Sequence, residues 1–516
     1  MGAATSPMLH ALADVDAAAA WLQQRLKPGA ALHADSRALR AGDAFFAWPG
    51  ALHDGRAHVR TALAQGAAAC IVEADGLAAL DLPADEPRLA ALAGLKAQAG
   101  PIAAAHLGHP GRRLKMLAVT GTNGKTSTAC WLAQALDALG MPCGVVGTLG
   151  VGRLADLHST GLTTPDALRL QATLAGFVQQ GLAACAMEAS SIGLVEHRMA
   201  GMPLDVAIFS NLTQDHLDYH GSMDAYWAAK RSLFSWPGLR AAVVNLDDGH
   251  GAALADELQS EGRLDLWSFS LANPMARLVA GPLGYADGGL VFSVREGHQT
   301  VELRTTLVGR FNASNLLGVL AALRALGHPL PEAARAAQAV AAVPGRLQRV
   351  PGSGPDVEVF VDYAHTPDAL EQTLAALRPL ADARGGRLGC LFGCGGNRDA
   401  GKRPRMGAIA SRLADRVVLS SDNPRLEDPQ AILAQIEAGI DAGIDAGVER
   451  RAHVRSIVER DEAIATALAE ARPGDVWLLA GKGHEDYQDI AGRKRPFLDL
   501  DHAQRALARR AGGGSR

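Results

Sequence analysis

The sequence lacks what would tie it to a membrane, to the outside of the cell or to nucleic acid. No run of transmembrane length is free of charge. The first residues lack a basic segment followed by an apolar core, so neither membrane insertion nor a signal peptide is expected. Met1-Gly2-Ala3-Ala4-Thr5-Ser6 matches the myristoylation pattern, but nothing polybasic follows and the match is read as chance. Basic residues are not in excess: 50 against 54 acidic ones, a net charge of −4, leave no footprint for nucleic acid, so any phosphate binding has to be local. Cysteine is sparse. Cys70, Cys130, Cys143, Cys185, Cys390 and Cys394 are scattered, several inside apolar runs, which is the pattern of buried free thiols in a reducing cytoplasmic compartment. Cys390 and Cys394 have no second pair beside them, as a structural zinc site would require.

What is present is enough apolar residue, 48% over 516 positions against 20% charged, for several globular domains with sizeable cores. The most informative stretch is Leu117-Ala118-Val119-Thr120-Gly121-Thr122-Asn123-Gly124-Lys125-Thr126-Ser127-Thr128. An apolar strand ends in a small-residue loop with a lysine and hydroxyls, and a helical pattern follows. In a phosphate cradle of this kind the loop amides and helix N-terminus face the anion, Lys125 adds a charge, and Thr126 or Ser127 can ligate Mg²⁺. The strict pattern wants glycine at position 119, where this chain has valine, so the loop is a shortened variant. A plain glycine turn is the blander alternative, and Gly-Lys-Thr directly after an apolar strand argues against it.

The first region, residues 1–111, alternates Ala-rich helical stretches with short apolar runs and reads as a small α/β domain ending at the breaker cluster Gly108-His109-Pro110-Gly111. The second, residues 112–344, has candidate strands at 116–120, 183–187, 206–210 and 241–245 with helical patterns between the first three, a doubly wound and mostly parallel sheet. From about 263 to 308 short alternating runs predict β-hairpins. The third region, residues 345–511, has candidate strands at 357–361, 388–392, 416–420 and 476–480, and helices starting near Asp368, Lys402, Pro429 and Asp461, a second α/β sheet. The tandem repeat across 439–446 is read as lengthening a helix end, and 512–516 as a disordered tail.

Open α/β sheets bind ligands beyond the carboxyl ends of their strands. Glu188-Ala189-Ser190-Ser191 and Asn211 to Asp218 sit at such ends in the central region. Glu188 and His216, with Thr126, make an oxygen-rich candidate Mg²⁺ site; singly, each has an ordinary reading as a cap neighbour or a loop histidine. Lys230, on a helical segment after Tyr226-Trp227-Ala228-Ala229, reads from spacing alone as a solvated lysine. In the third region four strand ends carry polar loops: Asp362-Tyr363-Ala364-His365, whose Asp/His pair is a candidate for facing nucleotide; Gly393 to Asp399; Asp422-Asn423-Pro424-Arg425; and Gly481 to Asp486. Arg398 and Arg425 suit carboxylates and Glu485 an ammonium, a combination that fits an amino-acid substrate.

On these motifs the chain closely resembles the Mur ligase family of peptidoglycan synthesis over nearly its whole length. The resemblance implies three domains: an N-terminal UDP-binding domain, a central P-loop ATPase domain and a C-terminal Rossmann-like domain. It implies that Ser36 and the Ala51-Leu52-His53 turn contact the UDP end, and that Thr163, Thr164, Ser190, Glu196 and Arg198 hold the muramoyl-dipeptide. It further implies that Thr126, Glu188, His216 and a carbamylated Lys230 serve Mg²⁺. Gly121 to Ser127 with Asn315, Arg346 and His365 would bind ATP, and Arg398, Asp422, Asn423, Pro424, Arg425, Gly481 and Glu485 would surround diaminopimelate. Asp422-Asn423-Pro424-Arg425 is the pattern of members that add meso-diaminopimelate to UDP-N-acetylmuramoyl-L-alanyl-D-glutamate. The implied enzyme is a cytoplasmic monomer that consumes ATP through an acyl phosphate, with Lys125, Lys230, Glu188 and His216 as its catalytic residues. Departures from the family pattern are Glu196 for glutamine, Ile192 for histidine, Leu162 for asparagine and Ala51-Leu52 for histidine-glutamine. A lysine-adding relative, a folylpolyglutamate synthetase-like ligase and a non-catalytic nucleotide-binding scaffold are the competing readings.

Overall fold

The computed structural model describes residues 9–50, 53–77, 80, 82–83, 85–286, 288–354, 356–445 and 452–513. Ala51 and Leu52, the 1–6 pattern, Ala446 at the end of the repeat and residues 514–516 of the predicted tail lie outside the described residues. The chain divides into two compact units, Met1–Leu278 with Gly318–Ala336, and Val279–Leu317 with Ala337–Arg516.

The first unit holds two sheets. Strands β1 (His10–Ala11), β2 (Leu32–His33), β3 (Ala44–Ala47), β4 (Ala69–Glu73) and β5 (Leu89–Leu92) make an all-parallel sheet of order β1-β5-β4-β3-β2. Successive side chains point to opposite faces. Phe46 therefore joins Trp21, Leu22, Leu95 and Ile102 from the helices Val15–Gln23 and Leu95–His106, while Phe45 joins Val59 and Leu63 from the helix Val59–Ala64.

The second sheet is built from β6 (Lys115–Thr120), β7 (Cys143–Gly147), β8 (Gly150–Arg153), β9 (Asp156–His158), β10 (Ala184–Glu188), β11 (Val206–Phe209), β12 (Ala241–Asn245) and β13 (Asp265–Ser270), in the order β9-β8-β7-β10-β6-β11-β12-β13. From β7 to β13 the pairings are parallel; β8 and β9 fold back as an antiparallel edge. Its central strands are buried on both faces, so their sequences are continuous apolar runs without alternation. Glu188 ends β10 and His216 follows β11, the two strands that flank β6, so the strands that carry them do not adjoin one another.

Strand β14 (Leu278–Ala280) spans the boundary at Leu278, and β15 (Gly284–Ala286), β16 (Gly289–Glu296) and β17 (Gln299–Arg304) of the second unit pair antiparallel. Of the hairpins expected over 263–308, antiparallel pairing is seen among β15, β16 and β17, while β13 is a parallel partner of β12. The last sheet contains β18 (Gln348–Arg349), β19 (Glu358–Asp362), β20 (Leu388–Phe392), β21 (Arg416–Leu419), β22 (His453–Ser456) and β23 (Val476–Ala480) in the order β18-β19-β23-β20-β21-β22, all parallel except β18. A two-stranded ribbon, β24 (Tyr487–Ile490) with β25 (Arg493–Pro496), follows it. The repeat lies in the helix Pro429–Asp445, and the final helix runs Asp499–Gly513. Among the described residues no helix is long and apolar enough to cross a membrane.

Candidate functional site

The phosphate loop leaves β6 at Thr120 and enters the helix Lys125–Ala138 through Gly124, whose φ of 87° a side chain would strain. The loop is tied to the segment after β11. The Asn123 amide donates to the Asn211 Oδ1 (2.9 Å), the Thr122 amide to the Asn211 carbonyl (2.8 Å), and the Ser210 hydroxyl to the Asn123 carbonyl (2.7 Å). Thr126 and Ser127 are buried in the first helical turn.

Lys125 Nζ turns back on the carbonyls of Gly121 (2.9 Å) and Thr122 (2.8 Å). Lys230 is no solvated lysine. It is 1% exposed and its Nζ donates to the same Gly121 carbonyl at 2.7 Å. Burial foremost, and then the nearby Lys125, push the Lys230 amine well below its ordinary range. Two lysine Nζ atoms are thus held on one carbonyl oxygen beside the loop where a triphosphate is expected. Tyr226 organises it. One helical turn before Lys230, it is fully buried, offers its ring 4.3 Å from Lys230 Nζ, meets the Thr122 hydroxyl at 3.2 Å and takes the His216 ring edge-on at 6.0 Å. Sequence reasoning missed it, although its i, i+4 spacing to Lys230 is a readable signal.

Glu188 ends β10 at 1% exposure, its carboxylate accepting from the Thr148 amide (2.8 Å) and hydroxyl (3.1 Å). The residues predicted for the muramoyl-dipeptide gather next to it. Thr163 and Thr148 hydroxyls are 3.0 Å apart, Thr164 bonds the Glu188 carbonyl (2.9 Å) and the Ser190 hydroxyl (3.0 Å), and Arg198 donates to the Thr164 carbonyl (3.1 Å). Ser190 also caps the short helix Ser191–Val195. Glu196 does not stand alone here: Lys96 reaches it at 2.7 Å and the Tyr219 hydroxyl donates to it at 2.6 Å. Thr148, Lys96 and Tyr219 carried no sequence signal. Ser36 opens the turn after β2, and the exposed His53, whose carbonyl receives the Gly50 amide at 2.8 Å, follows β3, so both lie beyond carboxyl ends of the first sheet. Among the described residues no three His, Cys, Asp or Glu side chains are grouped as a metal cage.

In the second unit Asn315 is buried on the helix Arg310–Ala325. Tyr363 collects its neighbours: the Arg346 guanidinium lies 4.8 Å from its ring, with His365 at 4.6 Å and His484 at 5.3 Å. Asp362 is tied to the backbone. Its buried carboxylate accepts the backbone amides of Leu347 (2.6 Å) and Ala364 (2.8 Å), a structural use. Burial first, against Arg346 and these amides, raises its pKa.

The loops after β20, β21 and β23 meet at one sheet edge. Asn423 Nδ2 donates to Glu485 (2.7 Å), while its Oδ1 accepts from the Asp489 amide (2.9 Å) and from Lys482 (3.2 Å). Lys482 is wholly buried and also donates to Glu485 (3.2 Å) and the Tyr487 carbonyl (2.6 Å). Burial raises the Glu485 pKa, Asp422 adds to the rise, and Lys482 and Asn423 oppose it. Arg425 takes φ 52°; its amide donates to Asp489 (2.9 Å) and its guanidinium to the Gly396 carbonyl (2.6 Å), so the β24 ribbon and the loop after β20 orient it. Arg398 is exposed on that loop. The backbone itself closes this edge: a Cβ on Gly396 would run into the Pro424 carbonyl, and one on Gly481 into the Asp422 carboxylate. Cys394 beneath it is buried against Met406, and burial pushes both Cys390 and Cys394 thiols up, as expected of buried free thiols.

Comparison with known proteins agrees over both units. Residues 119–323 match the Mur ligase middle domain, and residues 345–483 match the Mur ligase, glutamate ligase domain. The chain is 56% identical, over 98% of its length and 99% of the relative's, to a UDP-N-acetylmuramoyl-L-alanyl-D-glutamate–2,6-diaminopimelate ligase of Acidovorax sp. (strain JS42). A ligase of the same name from Pseudomonas aeruginosa is 51% identical over 92% of this chain and 94% of its own. A solved structure of such a ligase superposes with a TM-score of 0.67 at 34% identity, covering 94% of this chain and 96% of that one.

Proposed function

The chain belongs to the Mur ligase family, in the MurE branch that adds diaminopimelate during peptidoglycan precursor synthesis, and from that premise we propose how its residues divide the work of an ATP-dependent amide-bond-forming reaction. The lysine-adding, folylpolyglutamate and scaffold readings give way to this one.

The Gly121–Ser127 loop holds the triphosphate of ATP, with Lys125 on the transferring phosphoryl group; Asn315, Arg346 and His365 contact the nucleotide. The γ-carboxylate of the D-glutamyl residue attacks the γ-phosphorus, ADP leaves and an acyl phosphate forms. Thr163, Thr164, Ser190 and Arg198 orient that dipeptide beside Glu188, and Ser36 with the Ala51-Leu52-His53 turn takes its UDP end. The neutral amine of meso-diaminopimelate then attacks the acyl carbon, phosphate departs and the amine proton passes to a base. These steps depend chiefly on positioning and on charge placed where the transition state develops it.

Thr126, Glu188, His216 and a carbamylated Lys230 would hold Mg²⁺, which supplies charge neutralisation at the phosphoryl oxygens. The donor set fits a hard cation that uses few protein carboxylates and completes its shell with substrate oxygens. Lys230 fits only once modified: as an ammonium it shares the Gly121 carbonyl with Lys125, and carbamylation replaces that repulsion with an anion. On this reading the enzyme works in the cytoplasm as a monomer.

The observation that carries the amino-acid assignment is that Asp422, Asn423, Arg425 and Glu485 lie on loops beyond the carboxyl ends of one sheet, where Asn423 donates to Glu485 and Gly481 abuts the Asp422 carboxylate, so this edge offers both signs of charge to a zwitterion with a further carboxylate. An amino-acid panel with UDP-muramoyl-dipeptide and ATP, read by product mass, tests it. Diaminopimelate addition is expected; preferential addition of lysine or glutamate would sink the assignment.

A further inference from the structure

Glu196 poses an electrostatic problem. Two residues before Arg198, it places a carboxylate where the reading above, on which this inference rests, puts an anionic dipeptide. The fold answers it from a distant part of the chain. Glu196 receives Lys96 at 2.7 Å and the Tyr219 hydroxyl at 2.6 Å, with the Lys96 and Glu196 side chains only 32% and 25% exposed.

Lys96 belongs to the first turn of the helix Leu95–His106, which packs on the sheet β1–β5. That turn is anchored by Glu73, whose carboxylate accepts the amides of Gly94 (2.9 Å) and Leu95 (2.7 Å). One turn further, on the same face as Lys96, Gly100 abuts the Ala200 carbonyl so closely that a Cβ would overlap it, and Gly201 meets the backbone at Pro101 in the same way. Lys96 and Gly100 are four residues apart, as are Glu196 and Ala200. The glycine contacts bring the helix Leu95–His106 and the segment after Val195 to close approach beside the ammonium–carboxylate pair.

We propose that Lys96 and Glu196 form a charge-compensating pair at the muramoyl-dipeptide subsite, so that Lys96 is a positioning residue for the anionic dipeptide although it sits in the domain assigned to the UDP end. The pair cancels the carboxylate, and Arg198, held by the Thr164 carbonyl at 3.1 Å, remains as the positive charge the dipeptide meets. Burial pushes the Glu196 carboxyl up, but Lys96, Tyr219 and Arg198 outweigh it and keep it ionised at neutral pH, so the compensation is needed under working conditions.

The test is a double-mutant cycle in the full-length enzyme, reading KM for UDP-muramoyl-dipeptide and for diaminopimelate separately. Lys96→Met strands a part-buried carboxylate beside the anionic substrate and is expected to raise KM for the nucleotide substrate roughly tenfold, with KM for diaminopimelate unmoved. Lys96→Arg keeps the charge and holds KM near its starting value. Glu196→Gln frees Lys96 for the substrate and lowers KM. The double variant Lys96→Met with Glu196→Gln returns KM to within about threefold of the parent, a rescue that a merely structural contact between domains would not give. A rise in KM for the nucleotide substrate in Glu196→Gln, a double variant no better than Lys96→Met alone, or equal movement of both KM values in Lys96→Met, would overturn the pairing. Arg198→Ala separates the two ideas: an unchanged KM for the nucleotide substrate would remove the dipeptide subsite itself, whatever the cycle gives.

Discussion

Replacing Lys482 by methionine removes a wholly buried ammonium and leaves its stem. Three acceptors lose their donor at once: Asn423 Oδ1 at 3.2 Å, Glu485 Oε2 at 3.2 Å and the Tyr487 carbonyl at 2.6 Å. Breaking a buried ion pair on one side costs about 3–5 kcal/mol. The lower end is expected, because Asn423 still donates to Glu485 at 2.7 Å and the Glu485 side chain keeps 19% exposure to water. The functional consequence is sharper. Burial already raises the Glu485 pKa and Lys482 works against that rise. Without Lys482 the carboxyl stays protonated to higher pH, and a protonated carboxyl cannot pair with the ammonium of diaminopimelate. In the parent enzyme kcat/KM for diaminopimelate therefore climbs as pH rises through the Glu485 pKa; in Lys482→Met that climb moves to higher pH, with roughly tenfold lost for each unit of displacement at a pH below it. Stability has the opposite sign. A carboxyl whose folded pKa lies above its unfolded value stabilises the fold fully below the unfolded pKa, and that contribution is lost as pH rises through the folded pKa. The variant should lose more over that wider window. Urea unfolding at several pH values and the pH profile of kcat/KM for diaminopimelate read both effects. An unmoved acidic limb together with a stability change under about 1 kcal/mol would refute the reasoning.

Arg425→Ala should cost about 2–5 kcal/mol in kcat/KM for diaminopimelate and erase its preference over lysine, measured by competition between the two amino acids. Lys230→Ala should lower kcat by roughly a hundredfold or more while ATP still binds, and a small carboxylate added to the assay should restore part of the rate. Arg460, paired with Asp499 at 2.7 and 2.6 Å where neither side chain reaches solvent, should cost about 3–5 kcal/mol in urea unfolding when changed to methionine, with the KM values of the remaining folded enzyme preserved.

The parallel strands were legible because a strand buried on both faces is an uninterrupted apolar run, and β6, β10, β11, β12, β19, β20, β21 and β23 all have that form. Strand β7 escaped because two of its five residues are glycine, and β22 because it is a polar edge strand. The polar loops beyond the strands were legible for the same reason: chemistry-bearing residues directly after an apolar run lie at a sheet edge. What could not be read was which polar residues spend their charge internally. Asp362 stood in the same kind of loop as Asp422, yet its carboxylate is consumed by backbone amides. Lys230 looked solvated until Tyr226, Lys125 and the Gly121 carbonyl were seen to enclose it. Lys96 meets Glu196 across a hundred positions of sequence, beyond the reach of any local pattern.

The glycine-closed edge of the proposed diaminopimelate site bears on how the enzyme can drift. Where Gly396 presses on the Pro424 carbonyl and Gly481 on Asp422, the wall is main chain against main chain or against a site carboxylate. A point mutation can shorten, lengthen or recharge a side chain, but it cannot reshape a peptide plane without moving the loops that carry Asn423 and Arg425. An inhibitor that drew its affinity from those carbonyls and amides would therefore confront a surface with few escape routes compatible with catalysis. One that leaned on the exposed Arg398 could be lost by a single codon change.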